Sequence, residues 1–342
     1  MTSDTGSLGG TASQAMRNTK KSSMTFEERL DPALLETFTA SPEIDLGRNI
    51  PKLRFLIERY EAPLRAALPP IPEVSVTDHL VPGSDGNPDV RVRTYEPDGR
   101  AADSAAMFWI HGGGMVIGTI DGDDFMCKTW ARDFLCVVAS VDYRLAPEHQ
   151  YPAHIDDCYT GLQWFHTRLD DYQVDRSRLV IGGASAGGGL AAGTALLARD
   201  RGEVPLAFQY LVYPMIDDRD ATASTHEITT TRAWNRRSNQ IGWRSYLGDR
   251  VGSDDVPLYA APARASVDDL RGLPPTYIDV GELDPFRDED IAYASRLLAA
   301  GVPCELHVTP GAFHGSEMAV PDAPSSRRIR AYRRDALSRV LA

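Results

Sequence analysis

The segment Arg178–Gly193, RLVIGGASAGGGLAAG, decides the fold that the sequence predicts. It begins with the apolar run Leu179–Ile181, which is typical of a buried parallel strand. Gly183-Ala-Ser185-Ala-Gly187 follows, and then a run of small and helix-forming residues. A strand, a tight turn flanked by glycines and a helix can hold a serine hydroxyl above a sheet, because bulky neighbours do not fit such a turn. The pentapeptide alone is equally compatible with a glycine-rich helix packed closely on a sheet.

The composition of the 342 residues is that of an acidic globular protein. Hydrophobic residues make up 42% and charged residues 25%, and 36 basic against 48 acidic side chains give a net charge of −12. This charge, without a basic block, argues against nucleic acid or an anionic membrane as a partner. No apolar run approaches the ~18 residues of a membrane helix, and the N-terminus has no apolar signal region.

The cysteines carry no metal-binding signature. Cys127, Cys136, Cys158 and Cys304 are scattered, without the spacing of a zinc site. Apolar neighbours predict that they are buried thiols. We therefore expect no metal, no disulfide and a cytoplasmic location.

Hydrophobic patterning predicts an α/β protein with about eight strands, and helices that alternate with strands from the third strand onward. Such an order indicates a mostly parallel, doubly wound sheet. Two alternating segments within 74–97 flank a turn and predict an antiparallel hairpin at its start. Pro63 is expected to kink or split the helix that precedes the hairpin.

The chain divides into a core domain and additions to it. Residues 1–23 are predicted to be a flexible leader, because Ser, Thr and Gly dominate there. Helical spacing over 24–70 predicts N-terminal cap helices. The polar segment 216–256 follows a strand at the edge where open α/β sheets place their sites, so we expect an inserted part of the cap there. The alternative is a surface excursion without contact to the site. The core, which is the predicted catalytic domain, then comprises 71–215 and 257–342.

A second glycine-rich motif, His111-Gly112-Gly113-Gly114, directly follows another predicted strand. Consecutive glycines let backbone N–H groups point at a ligand, and each such donor to an oxyanion contributes about 10²–10³ in rate. This motif together with G-x-S-x-G about 70 residues later predicts a serine hydrolase. We expect the donors to be the N–H groups of Gly113, Gly114 and Ala186. His111 is expected to fix the loop through nearby backbone rather than to transfer protons.

A nucleophilic serine requires a base and an orienting carboxylate, which follow it in the order Asp or Glu, then His. His226 lies in the polar insertion and His307 lies inside a strand, so His314, in the loop after that strand, is the predicted base. Asp284 stands nearest the end of its strand and is the predicted carboxylate. Asp288 is the second choice and otherwise braces the loop.

These motifs resemble those of the hormone-sensitive-lipase-like α/β-hydrolases, the bacterial family IV carboxylesterases, from roughly Leu80 to the C-terminus. The similarity rests on five short motifs: HGGG (111–114), DYRLAPE (142–148), GASAGG (183–188), DPFRDE (284–289) and FHG (313–315). The run GGGLAAG and the C-terminal third are similar to the bacterial heroin-esterase type. The resemblance implies an α/β-hydrolase fold with helices on both faces and a helical cap, and no cofactor. It also implies a Ser185–Asp284–His314 triad.

The DYRLAPE motif is interpreted as architectural, with an ion pair between Arg144 and Glu148. Two positions depart from the family pattern. Ala184 stands before the serine, where Asp or Thr is usual. Met115 follows the glycines, where an aromatic residue is common, and its flexible thioether could reshape the acyl pocket.

The sequence therefore predicts a serine carboxylesterase that acts on small, short- to medium-chain acyl esters through an acyl-enzyme. Three alternatives remain at this point. One is a receptor that binds a small molecule under the cap without hydrolysing it. The others are an enzyme that acts on amides or peptides, and a true lipase, although the polar insertion favours short chains. A homodimer is compatible with the sequence, but no motif imposes it.

Overall fold

The computed structural model describes residues 1–2, 24–43, 46–47 and 49–342, so most of the predicted leader lies outside the described residues. Within these ranges eight strands, β1 to β8, form one sheet. In chain order they are Val74–Val81, Val90–Pro97, Ser104–Ile110, Val137–Asp142, Val174–Ala184, Phe208–Val212, Thr276–Leu283 and Cys304–Phe313. Their order across the sheet is β1-β2-β4-β3-β5-β6-β7-β8.

The sheet is mostly parallel. β2 runs antiparallel to both of its neighbours, β1 and β4, whereas every neighbouring pair from β4 to β8 is parallel. All seven residues of β3 are buried, which explains why its sequence is a continuous apolar run rather than an alternating one. The predicted hairpin and the predicted sheet of eight strands are both confirmed.

Eleven α-helices lie in the described ranges, and from β3 onward they alternate with the strands. In chain order, α1 to α11 are Phe26–Arg29, Pro32–Ala40, Ile50–Ala66, Asp124–Phe134, Ala153–Thr167, Ala186–Arg201, Ala223–Glu227, Arg236–Leu247, Arg287–Ala299, Ser316–Ala319 and Pro324–Leu341. α5 packs beside α6 and α11 packs beside α4, and members of both pairs contact β3. This arrangement is the one expected for a sheet with helices on both faces.

The helix α3 runs through Pro63, so of the two expected outcomes, a kink or a split, the split does not occur. It is not split there, because the proline lies only three residues before the helix ends and removes a single backbone hydrogen bond. None of its residues is buried, and Phe55, Tyr60 and Leu64 are mostly exposed. The N-terminal helices are therefore not uniformly polar on their outer surface.

Three of the four cysteines are buried, and Cys304 is half-buried. All four are free thiols. Burial raises the pKa of Cys136 and of Cys304 to about 12. Across the described ranges, no helix combines the length and the apolar character that a bilayer crossing requires.

Candidate active site

Ser185 occupies a one-residue turn between β5, which ends at Ala184, and α6, which begins at Ala186. Its φ of 57° is a left-handed conformation that is costly for a residue with a Cβ atom. The turn is held from the next strand, because the Ser185 amide donates to the carbonyl of Val212 at 2.8 Å. The Ser185 carbonyl in turn accepts from the amide of Met215 at 2.9 Å. The backbone of β6 and the residues after it thus stabilise the strained serine.

The two glycine-rich loops pack backbone against backbone. A Cβ atom on Gly187 would lie only 2.0 Å from the carbonyl oxygen of Ile110, the last residue of β3. A Cβ atom on Gly112 would lie 2.9 Å from the carbonyl oxygen of Ala184 and 3.4 Å from the Cβ of Ser185. The glycines therefore allow the loop after β3 to reach the serine.

Ser185, His314 and Asp284 form one chain of hydrogen bonds. His314 Nε2 lies 3.0 Å from Ser185 Oγ, and His314 Nδ1 lies 2.7 Å from Asp284 Oδ2. When Nδ1 carries the proton and donates it to the carboxylate, Nε2 is left as the acceptor for the serine hydroxyl. The other oxygen of Asp284 accepts from the Phe286 amide at 3.0 Å, and Asp284 is fully buried. Three residues predicted from separate motifs are therefore brought together.

Aromatic rings surround the imidazole of His314. The ring of Tyr213 lies 4.4 Å from it, and Phe286 approaches edge-on at 5.2 Å. Trp234 lies 6.3 Å away, so the inserted segment reaches the site. These rings limit the access of water to the imidazole.

The N–H groups predicted to bind the oxyanion have no hydrogen-bond acceptor in the described part of the chain. Among the described residues, the N–H groups of Gly113, Gly114 and Ala186 donate to no acceptor. The Gly113 carbonyl accepts from the amides of Val116 and Ile117 at 3.1 and 2.9 Å, which closes the loop on itself. The loop is therefore fixed while its leading N–H groups stay free.

His111 is bound inside this loop. It is buried, and its Nδ1 lies 2.8 Å from the Gly112 carbonyl oxygen. Its ring stacks on Tyr143 at 4.3 Å, and the Tyr143 hydroxyl donates to the His111 carbonyl at 3.0 Å. Burial lowers the pKa of His111, which favours the neutral ring with Nδ1 as the donor.

Asp288 contacts the inserted segment rather than the histidine. Its Oδ2 accepts from the Ser224 amide at 2.7 Å, and its own amide donates to the Ser224 hydroxyl at 3.1 Å. Burial alone would raise the pKa of Asp288, but the hydrogen bonds from Arg287 and Ser224 outweigh it and lower the pKa. This geometry matches the bracing alternative that the sequence left open.

The predicted ion pair between Arg144 and Glu148 is wrong. Arg144 instead binds Asp157 of α5, with Nε and Nη2 at 2.8 and 2.7 Å from its two oxygens. Asp157 is buried and also accepts from the Arg144 amide, so it offers more hydrogen bonds than the exposed Glu148 can. Glu148 faces α3 and binds Arg54.

Sequence reasoning missed Arg54 and Trp234. Trp234 is nine-tenths buried, and a Cβ atom on Gly114 would lie 2.1 Å from its ring, so the indole closes over the glycine loop. The signal in the sequence was weak, because Trp234 is one of three aromatic residues in the largely polar segment 216–256. Met115, which was singled out, is fully buried and its carbonyl accepts from the Ala146 amide at 2.9 Å.

A family model described as alpha/beta hydrolase fold matches residues 107–318. The chain belongs to the α/β-hydrolase family. The carboxylesterase NlhH of Mycobacterium tuberculosis is 35% identical over 300 residues, which cover 82% of this chain and 91% of that protein. The solved structure of a bacterial heroin esterase is 44% identical with a TM-score of 0.88, and the match covers 93% of this chain and 100% of that one.

A third relative is similar over nearly its whole length. The crystal structure of the esterase LipW from Mycobacterium marinum is 36% identical with a TM-score of 0.80, covering 92% of this chain and 96% of that one. The predicted resemblance to hormone-sensitive-lipase-like carboxylesterases, and to the bacterial heroin-esterase type, is thereby confirmed.

Proposed function

We propose that the protein is a serine carboxylesterase that hydrolyses small ester substrates. The observation that carries the proposal is the hydrogen-bonded chain from Ser185 through His314 to Asp284, together with three amides that donate to no acceptor in the described part of the chain. The names of its relatives, carboxylesterase and esterase, support the reaction class.

In the proposed mechanism, Ser185 Oγ attacks the ester carbonyl carbon while Nε2 of His314 takes the hydroxyl proton. The C–O bond to the alcohol then breaks, and the alcohol leaves with that proton, which gives an acyl-enzyme. Water attacks the acyl-enzyme with His314 again as the base, the acyl C–O bond to Ser185 Oγ breaks, Oγ takes the proton from His314, and the acid is released. Asp284 holds the imidazole in the required tautomer and stabilises the imidazolium.

The negative charge that develops on the carbonyl oxygen needs donors that are already in place. The free N–H groups of Gly113, Gly114 and Ala186 are proposed to supply them. Because these amides have no other acceptor among the described residues, no hydrogen bond has to break when the oxyanion forms.

Residues 24–70 and 216–256 are proposed to form a cap over this site. The second segment supplies Trp234, which closes over Gly114, and the first is tied to the glycine loop by the bond from Arg54 Nε to the Val116 carbonyl at 2.6 Å. An indole against Gly114 and 6.3 Å from the ring of His314 would limit the room for an acyl chain, which favours short- to medium-chain acyl groups. The acidic composition and the free thiols favour a cytoplasmic enzyme. A homodimer stays a prediction.

The test is hydrolysis of p-nitrophenyl esters from acetate to palmitate by the wild type, Ser185→Ala and Ser177→Ala. Ser177 is an exposed serine whose amide and hydroxyl donate to Asp175, so its variant controls for the substitution itself. We expect turnover to peak at short chains, to persist in Ser177→Ala and to disappear in Ser185→Ala. Absence of turnover by the wild type at every length would overturn the proposal in favour of a ligand receptor, and a maximum at palmitate would favour a lipase.

Activity on an amide substrate tests the remaining alternative, that the protein acts on amides or peptides. The same variants are assayed on p-nitroacetanilide, the amide counterpart of p-nitrophenyl acetate. Hydrolysis of the amide at a kcat/KM at or above that of the ester would assign the protein to the amidases, because the triad serves both reactions.

A further inference from the structure

Behind the candidate site lies a buried ionic network that the proposed mechanism does not use. Arg333 of α11 binds Asp279 of β7 at two points, with Nε and Nη2 at 2.6 and 2.8 Å from the two carboxylate oxygens. Its third nitrogen, Nη1, donates to Glu317 Oε1 at 2.7 Å. Both carboxylate side chains are at most 4% exposed. Such a network is costly to bury, so its placement calls for a reason.

The network ends on the ring that faces the histidine. The Tyr213 hydroxyl donates to the same Oε1 of Glu317 at 3.0 Å, and the Tyr213 ring lies 4.4 Å from the ring of His314. The Tyr213 amide donates to the carbonyl of Asp279 at 2.7 Å. Asp279 therefore holds the backbone of Tyr213, and Glu317 holds its hydroxyl. Arg333 binds both of these carboxylates, so the four residues form a closed hydrogen-bonded network.

The charge states support this arrangement. Burial alone would raise the pKa of Glu317, but Arg333 outweighs it and holds the pKa below its ordinary value, so the carboxylate stays ionised. Burial raises the pKa of Tyr213 well above its ordinary value, so its hydroxyl keeps the proton that it donates. The bond between them is charge-assisted and therefore stronger than a bond between neutral groups.

The network is also close to the histidine along the chain. His314 follows the last residue of β8, and Glu317 lies three residues later in the short helix α10. Asp284 holds the imidazole through Nδ1, and the ring of Tyr213 packs against the imidazole at an angle of 56°. Tyr213 itself adopts a positive φ of 35°, a strained conformation that requires support from its surroundings.

We propose that Tyr213, Glu317 and Arg333 are positioning residues for His314, which hold the imidazole at the distance from Ser185 that proton transfer requires. This inference rests on the proposed function, because it assigns the network to the base of that mechanism. A base displaced by about 1 Å loses up to 10²-fold in rate. The network therefore affects the chemical step and leaves substrate binding unchanged.

The test compares Tyr213→Phe, which removes only the hydroxyl, Glu317→Gln, which removes the charge, and the double variant. We expect kcat on p-nitrophenyl acetate to fall roughly 10- to 100-fold in Glu317→Gln and less in Tyr213→Phe, with KM unchanged within about twofold. The double variant should lose no more than Glu317→Gln, because both changes act on the same hydrogen bond: Tyr213→Phe removes its donor, and Glu317→Gln replaces its charged acceptor with a neutral one. The labelling rate of Ser185 by a fluorophosphonate should fall in parallel, since it reports activation of the serine without ester turnover.

Asp157→Asn is the matched control. Asp157 is a buried carboxylate of α5 that binds Arg144 at two points, 2.8 and 2.7 Å, and it has no hydrogen bond to His314. We expect this variant to lose stability and to keep its kcat. If Glu317→Gln does not fold, the kcat and the labelling rate of Tyr213→Phe still test the inference. If the folded variants keep the wild-type kcat and labelling rate and only their melting temperature falls, the inference is overturned and the network is purely structural. The proposed function fails separately, through an inactive wild type.

Discussion

Arg54 and Glu148 form a two-point ion pair, in which Nη1 and Nη2 of the arginine lie 2.9 and 2.8 Å from the two carboxylate oxygens. The same guanidinium donates to the backbone carbonyls of Val116 and Ala146, both at 2.6 Å. Because α3 contributes no buried residue, this side chain is a principal attachment of the helix to the loops beside the serine.

Removal of this attachment should loosen α3. We expect Arg54→Ala to be cleaved within α3 about ten times faster by a protease such as thermolysin, because hydrogen bonds from charged donors each contribute about 1.5–3 kcal/mol. The melting temperature of the core should change little. Limited proteolysis followed by mass spectrometry measures the cleavage. Arg59→Ala, which changes an exposed arginine of the same helix, is the control, and equal cleavage of the two variants would contradict the prediction.

Kinetic measurements should distinguish the roles of Asp284 and Asp288, two acids of the DPFRDE motif. We expect Asp284→Asn to lower kcat by about 10³- to 10⁴-fold, because the amide cannot hold the same tautomer of the histidine. Asp288→Asn should instead lower the melting temperature and leave kcat within a few-fold, since Asp288 binds Ser224. Steady-state kinetics with p-nitrophenyl acetate measures both. The opposite ranking would make Asp288 the orienting carboxylate.

Trp234 should limit the size of the substrate. We expect Trp234→Ala to raise the ratio of kcat/KM for p-nitrophenyl decanoate over acetate by about tenfold or more, because each added methylene contributes up to a few kcal/mol once space is available. Trp234→Phe should change the ratio less. An unchanged ratio in a folded Trp234→Ala variant would show that another side chain sets the limit. The melting temperature of each variant is also measured, since loss of a buried indole destabilises the folded protein.

Asp290 should make stability depend on pH. It is fully buried, neither oxygen has a hydrogen-bond partner among the described residues, and burial followed by the charges of Glu289 and Asp284 raises its pKa well above the ordinary value. The folded state therefore keeps a proton that the unfolded state releases above about pH 4. A raised folded-state pKa contributes stability below the unfolded pKa, and this contribution is lost as pH rises toward the folded pKa.

Asp290→Asn has no proton to lose. We expect its free energy of unfolding, relative to that of the wild type, to increase steadily from pH 5 to pH 8. Urea unfolding at several pH values measures it, and Asp268→Asn, at an exposed position, is the control. A difference that stays constant across this range would contradict the prediction.

The fold could be predicted because its signals are local. Continuous apolar runs predicted buried parallel strands, and the alternation within 74–97 predicted the hairpin. Ser185, Asp284 and His314 could be selected because each stands at the end of a strand, and the carboxyl ends of parallel strands meet at one edge of the sheet. The structure brings these three together, and their catalytic roles stay predictions.

Partners that come from distant parts of the chain could not be predicted in the same way. Arg144 binds Asp157 rather than Glu148, and no local pattern tells which of two nearby acids a helix will bury. Arg54 reaches its partners across more than 60 residues, and Trp234 stands in a segment without regular periodicity. Such contacts are decided by packing in three dimensions.

The chain between β6 and β7 includes the segment 216–256, which carries Trp234. It leaves the sheet after β6 and returns at β7, and these two strands are neighbours. Its ends are therefore anchored side by side, and the strands that present Ser185 and His314 do not pass through it. If this segment limits the substrate as proposed, its exchange between relatives would change the substrate range and leave the arrangement of Ser185, His314 and Asp284 in place, provided that a serine equivalent to Ser224 is kept for Asp288. The proposed specificity would then evolve separately from the proposed chemistry.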